Sequence, residues 1–200
     1  MTPHARVGLI GFIAGIVLLA GALAYFYSPW LTRGGGEQVA PVDIGGPFAL
    51  TDQNGVLRRP EEFRGKLMLV YFGYTFCPDA CPTALQDMSQ ALDLLGAKAE
   101  DVQPIFITID PERDTVAQMK LYASNFHPRL LALTGTPEQI AAAARAYRVF
   151  YEKEKGGSAT EYLMDHSGLI YLMGRDGRYV SHFRPGAKPE EMAAAIAAHL

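Results

Sequence analysis

"KLMLVYFGYTFCPDACPTAL", Lys66 to Leu85, runs an apolar segment directly into the chain's only two cysteines, Cys77 and Cys81. Lys66 to Tyr74 is rich in aromatic and aliphatic residues with no polar face. That pattern predicts a strand buried on both sides, the kind found inside a parallel sheet. Pro82 suits the first turn of a helix. A helix is expected from Thr83 to Leu95, with Leu85, Met88, Leu92 and Leu95 on one stripe. The cysteines therefore fall at the junction between the carboxyl end of a strand and a helix entry. Functional groups of open α/β sheets gather there.

The downstream pattern alternates. Gln103 to Asp110 reads as a second buried strand, Thr115 to Phe126 as a helix, and Leu130 to Leu133 as a short strand. Thr136, Pro137 and Gln139 form a capping pattern that starts a helix reaching Tyr147. Gly168–Met173 and Arg178–Phe183 flank "GRDG" as a hairpin, and Lys188 to Leu200 closes the chain as a helix. Upstream, "FALTDQNGVL" carries an Asn-Gly hairpin signal. Alternation of this kind predicts an α/β domain with a parallel core, helices on both faces and an antiparallel edge. The layout resembles the thioredoxin-like fold.

Ahead of the domain, Val7 to Tyr27 contains no charge. About 20 apolar residues match the hydrocarbon thickness of a bilayer. Arg6 precedes the segment, and Trp30 and Arg33 follow it as interfacial anchors. An N-terminal transmembrane helix is expected, so residues 1–33 read as a membrane anchor with its flanks. A cleaved signal peptide is the rival reading, given the small residues Ala22 to Ala24, but the apolar stretch exceeds that of such signals. The glycine-bearing residues 34–46 read as a flexible tether, and residues 47–200 as the globular domain.

The 200 residues carry 18 Lys and Arg against 21 Asp and Glu, and no basic run. Nucleic-acid binding rests on phosphate neutralisation, so this balance excludes it. Two cysteines with three residues between them also make a poor structural staple, because stabilisation grows with the length of the loop closed. A redox pair or a metal grip remains. Redox couples usually show one residue fewer between the cysteines. Thiolates are soft ligands that select Cu(I) or Zn(II). His166 lies just ahead of the Leu169–Met173 segment, where it could reach the sulfurs as a third donor. Thioredoxin-like redox proteins place a cis-proline in that region, and no proline occurs here from Thr160 to Gly174. Asp165, the residue before His166, is a candidate to hold and orient the imidazole from behind.

Other candidates read as structural. In "DPERDT", Asp110 to Thr115, Asp110 ends a strand, Pro111 opens a turn and Asp114 is placed to cap the next helix. The same segment could order loops or dock a partner. His127 is expected to face solvent, His182 to be structural and His199 to sit at a helix end. The seven methionines form no cluster. Tyr74 stands where peroxiredoxins carry a threonine, three residues before the reactive cysteine. Tyr151 to Asp165 reads as a long polar loop whose Gly-Gly-Ser centre lets His166 swing.

"GKLMLVYFGYTFCPDACPTAL", "FITIDPERDT" and "YLMDHSGLIYLM" together resemble the Sco (SenC) family, from about Phe48 to the end. These are membrane-anchored, copper-binding assembly factors of cytochrome c oxidase. The resemblance implies a thioredoxin-like fold and copper held by Cys77, Cys81 and His166. It implies action on the oxidase's dinuclear copper centre, by copper delivery or by reduction of the target's cysteines. In the second case Cys77 and Cys81 are the redox-active pair. The implied partners are the oxidase's copper-bearing subunit and an upstream copper donor. The implied place is the bacterial inner membrane, with the globular domain on the periplasmic side.

Overall fold

The computed structural model describes residues 16–26, 43–154 and 162–200. The chain divides into two units, Met1–Val42 and Asp43–Leu200. In the first, residues 16–26 form a helix, α1, whose side chains are exposed. Residues 7–15 and 27 of the expected transmembrane segment lie outside the described residues. Among those described, no helix is long and apolar enough to cross a membrane.

The second unit is built on a seven-stranded sheet. Its strands are β1 (Leu50–Asp52), β2 (Leu57–Arg58), β3 (Leu67–Gly73), β4 (Val102–Thr108), β5 (Leu131–Thr134), β8 (Ile170–Met173) and β9 (Tyr179–Phe183). They lie in the order β2-β1-β5-β4-β3-β8-β9. The pairs β3–β4 and β4–β5 are parallel, whereas β1 runs antiparallel to β5 and β8 to β3. The helices are α2 (Ala80–Leu95), α3 (Val116–Ala123), α4 (Pro137–Ala146) and α5 (Pro189–Ala197). This is the parallel core with an antiparallel edge that the alternation predicts.

All seven residues of β3 are buried, as the unbroken apolar run requires. Strand periodicity sends its side chains alternately to two faces. Phe72 meets Tyr147, at the end of α4, with ring centroids 5.3 Å apart. Tyr71 stacks on Phe106 on the other face, where Gly73 lies against Cys81 of α2. Ile105, Phe106 and Ile107 of β4 and Leu133 of β5 complete the centre of the core.

Some boundaries depart from the sequence expectation. Helix α2 starts at Ala80, ahead of Pro82, because the first turn of a helix has amide groups without intrahelical partners and tolerates a proline. Leu85, Met88 and Leu92 form the buried stripe, with Leu95 partly buried. The expected loop from Tyr151 to Asp165 instead contains two short strands, β6 (Tyr151–Lys153) and β7 (Met164–His166). They pair antiparallel as a separate ribbon, with Tyr151 opposite His166. The Gly156–Ser158 centre lies outside the described residues. The cap of α3 is Thr115, whose side chain accepts from the Gln118 amide. Asp114 is buried and serves another purpose described below.

Candidate metal centre

The carboxyl end of β3 delivers the chain into the cysteine turn. Cys77 is half-buried, Cys81 is fully buried, and both are free thiols. The four-residue spacing seats Cys77 just outside α2 and Cys81 in its first turn. The Cys81 amide donates to Cys77 Sγ over 3.3 Å. That amide belongs to the first turn of α2, and Asp79 at the N-cap makes no side-chain cap bond, so a sulfur occupies the usual place of a capping oxygen.

His166 reaches the pair from β7. Its Nε2 lies 3.5 Å from Cys81 Sγ. Nδ1 lies 3.2 Å from the Ser167 carbonyl. A carbonyl only accepts, so Nδ1 carries the proton and Nε2 turns its lone pair to the sulfurs. One ligand atom from each of Cys77, Cys81 and His166 lies within 4.8 Å of the others. Among the described residues this is the group able to hold a metal. The imidazole stands edge-on to Tyr71 and Tyr74, with centroids 6.1 and 6.0 Å away.

The electrostatics of the two sulfurs diverge. A hydrogen bond from Cys81 holds the Cys77 thiol down at about 5, from an ordinary 9.0, against the opposing effect of burial. Amide groups of Cys81 and Asp79 act in the same direction, and so does His166. Cys81 is pushed up, first by its bond to Cys77 and then by burial. At neutral pH Cys77 is thus the thiolate and Cys81 the proton-bearing partner.

The structure brings together Cys77, Cys81 and His166 but leaves Asp165 out. Successive residues of a strand point to opposite sides. With His166 turned inward, Asp165 is exposed, and the backbone of Ser167 is the group beside Nδ1. His127 is not solvent-facing: its side chain is 13% exposed and Nδ1 accepts from the Arg129 amide. His182 is exposed and bonds the Tyr179 hydroxyl. Tyr71 and Gly73 escaped the sequence reading. Their period-two spacing on β3 was the signal that could have placed both under Cys81. A cleft of about 160 Å³ adjoins the motif, bounded by Tyr71, Asp79, Thr83, Gly168 and Pro185.

A thioredoxin-like sheet with two thiols and one imidazole converging at a strand's carboxyl end defines a protein of thiol or soft-metal chemistry. The SCO1/SenC family profile matches residues 36–200, and the chain belongs to that family. It is 42% identical to an SCO2-like protein of Rickettsia felis over 152 residues, covering 76% of this chain and 74% of the relative. It is 40% identical to the human mitochondrial SCO1 homolog, covering 78% of this chain and 53% of the human one. Among solved structures, Bradyrhizobium japonicum ScoI with copper bound is 50% identical. It superposes with a TM-score of 0.74, covering 78% of this chain and 99% of that one.

Proposed function

We propose that the protein is a copper chaperone that holds copper through Cys77, Cys81 and His166 and assists assembly of the dinuclear copper centre of cytochrome c oxidase. The observation that carries this reading is the convergence of the three donors within 4.8 Å, with the imidazole held in the tautomer that frees Nε2. Two sulfurs and one neutral nitrogen form a soft set suited to Cu(I). Hard cations prefer oxygen donors, and the site supplies none. Membership of the family and the copper-bearing structure of a half-identical relative support the choice of copper. Copper is cargo in this reading, received from a donor and released to the copper-bearing subunit of the oxidase.

The uncharged Val7–Tyr27 segment anchors the protein in the bacterial inner membrane, with residues 34–46 as tether and residues 47–200 working on the periplasmic side. Support for this comes from the sequence: charge-free length, the flanking anchors Trp30 and Arg33, and the family.

One observation favours a second reading, thiol–disulfide reduction of the oxidase's copper-ligand cysteines. Cys77 is a half-exposed thiolate beside a buried thiol. Cys77 Sγ would attack a sulfur of the partner's disulfide, forming a mixed disulfide and releasing one partner thiolate. Cys81 would then attack Cys77, passing its proton to the leaving sulfur. The partner gains two electrons and the Cys77–Cys81 disulfide is left.

His166→Ala separates the two. The reduced full-length chain is titrated with Cu(I) against a chromophoric chelator, and thiol exchange is followed with a small disulfide. Loss of the nitrogen donor should weaken copper binding by about 10–100-fold or more, taking outer-sphere effects as a lower guide. Exchange needs only the two sulfurs and should change far less. Unchanged copper affinity would remove His166 from the site. Oxidase assembly that survives the substitution after copper binding is lost would favour the reductase reading.

A further inference from the structure

Among the described residues, the β6–β7 ribbon that carries His166 shares no ladder with the seven-stranded sheet. Side chains hold it in place, and most of them come from "DPERDT", between β4 and α3. Asp110 Oδ1 accepts the Tyr162 hydroxyl at 2.8 Å, and Oδ2 accepts Arg113 Nε. Arg113 Nη1 donates to the Tyr162 carbonyl at 3.0 Å. The guanidinium lies 3.6 Å above the Tyr162 ring and 4.7 Å from the ring of Phe76, the residue before Cys77. Glu112 pairs with Lys153 of β6. The Tyr74 hydroxyl accepts the Met164 amide at 3.2 Å.

The same segment holds the cysteine turn from below. Buried Asp114 accepts both the amide and the hydroxyl of Thr75, at 3.1 and 2.6 Å, and also the Thr108 hydroxyl. One loop therefore grips both halves of the candidate site. Its contacts are unequal. Lys153 and Glu112 are 48% and 60% exposed, and surface pairs of that kind contribute little. Arg113 and Asp110 are 13% and 1% exposed, and Arg113 combines an ion pair, a carbonyl bond and two stacked rings. Desolvation strengthens each of these.

We propose that Arg113 is the positioning residue for His166. By clasping Tyr162 and Phe76 together it closes the ribbon onto the cysteine turn and sets the Cys81–His166 separation. Met164 and His166 lie on the same face of β7, two residues apart, so an anchor at Tyr162 and Met164 fixes where the imidazole stands. The proposal rests on the copper-site reading above.

Two measurements on the full-length reduced protein test it. The first uses no metal: nuclear Overhauser contacts from the His166 ring to Tyr71 and Tyr74 are compared in wild type, Arg113→Ala and Tyr162→Leu. The second replaces a volume rather than a charge, so it keeps the test alive if Arg113→Ala fails to fold. Both variants should lose most of that contact intensity. Full intensity in both overturns the proposal, whatever copper does. The second measurement is Cu(I) affinity for Arg113→Ala, His166→Ala and the double variant. Arg113→Ala should weaken binding about tenfold, the lower end for groups that orient a ligand. In the His166→Ala background it should cost no more than about twofold, the scatter of additive effects. An equal loss in both backgrounds shows that Arg113 does not act through His166 and overturns the proposal. An unchanged affinity in His166→Ala itself defeats the copper-site reading instead, and the ring contacts still decide the role of Arg113.

Discussion

Gly73 is the last residue of β3, and a Cβ built on it would stand 2.7 Å from Cys81 Sγ and 3.1 Å from the rings of Phe106 and Tyr71. Ordinary contact begins at 3.4 Å, so Gly73→Ala must displace the sulfur by about 0.7 Å. The backbone cannot yield easily, because Gly73 pairs with Thr108 and its carbonyl accepts the Ile109 amide at 2.8 Å. Overpacking a tight core costs roughly 1–3 kcal/mol. Reduced freedom of the unfolded chain returns about 0.4–1 kcal/mol. The net destabilisation should be about 0–2.6 kcal/mol, lowering Tm by up to about 10 °C for a chain of this size. The larger effect falls on the site, since the displaced sulfur is the one beside His166 Nε2. Cu(I) affinity should fall about tenfold or more. Gly55→Ala is the control: nothing lies within 4 Å of its Cβ, but φ is +80°, so it strains the β1–β2 turn far from the cysteines. Thermal melts and chelator competition on both variants separate stability from site geometry. If Gly73→Ala binds copper within about twofold of Gly55→Ala, Gly73 does not seat Cys81 and the reasoning fails.

Three further outcomes are expected. In the metal-free reduced protein, alkylation of Cys77 should follow thiolate formation with an inflection at about 5, while Cys81 stays unreactive at neutral pH; mass mapping after a pH series checks this, and a Cys77 inflection near 9.0 would contradict it. Mild oxidation should join Cys77 to Cys81 reversibly, and that form should lose tight copper binding because a disulfide lacks thiolate character; equal affinity of both redox forms would count against the ligand set. Alkaline phosphatase fused after Leu200 should be active in a bacterial host, and activity of a cytoplasmic reporter at the same point would reverse the proposed topology.

Helix capping was legible where it is local. Thr136, Pro137 and Gln139 form the expected capping box of α4. Asp114 misled because capping by Asp and Thr looks alike in sequence, and only packing shows that Asp114 turns inward to Thr75 while Thr115 takes the cap. The β6–β7 ribbon was missed for a related reason. Three-residue strands such as Tyr151–Lys153 and Met164–His166 are too short to show a period, and their pairing is a contact between distant segments.

Local pattern along the chain is enough to read the apolar run of β3, the stripe of α2, and a thiol pair at the junction where an α/β sheet presents its chemistry. The motifs of the sequence also pointed to His166 through family resemblance. How the imidazole meets the sulfurs is a matter of long-range contacts that no local pattern carries. The Cys81–His166 approach spans 85 positions in the chain, and it depends on β7 pairing, on the Ser167 carbonyl and on the Arg113 clasp. Alternation along a strand sets which side chain turns inward once the strand exists, and that is why His166 rather than Asp165 faces the cysteines.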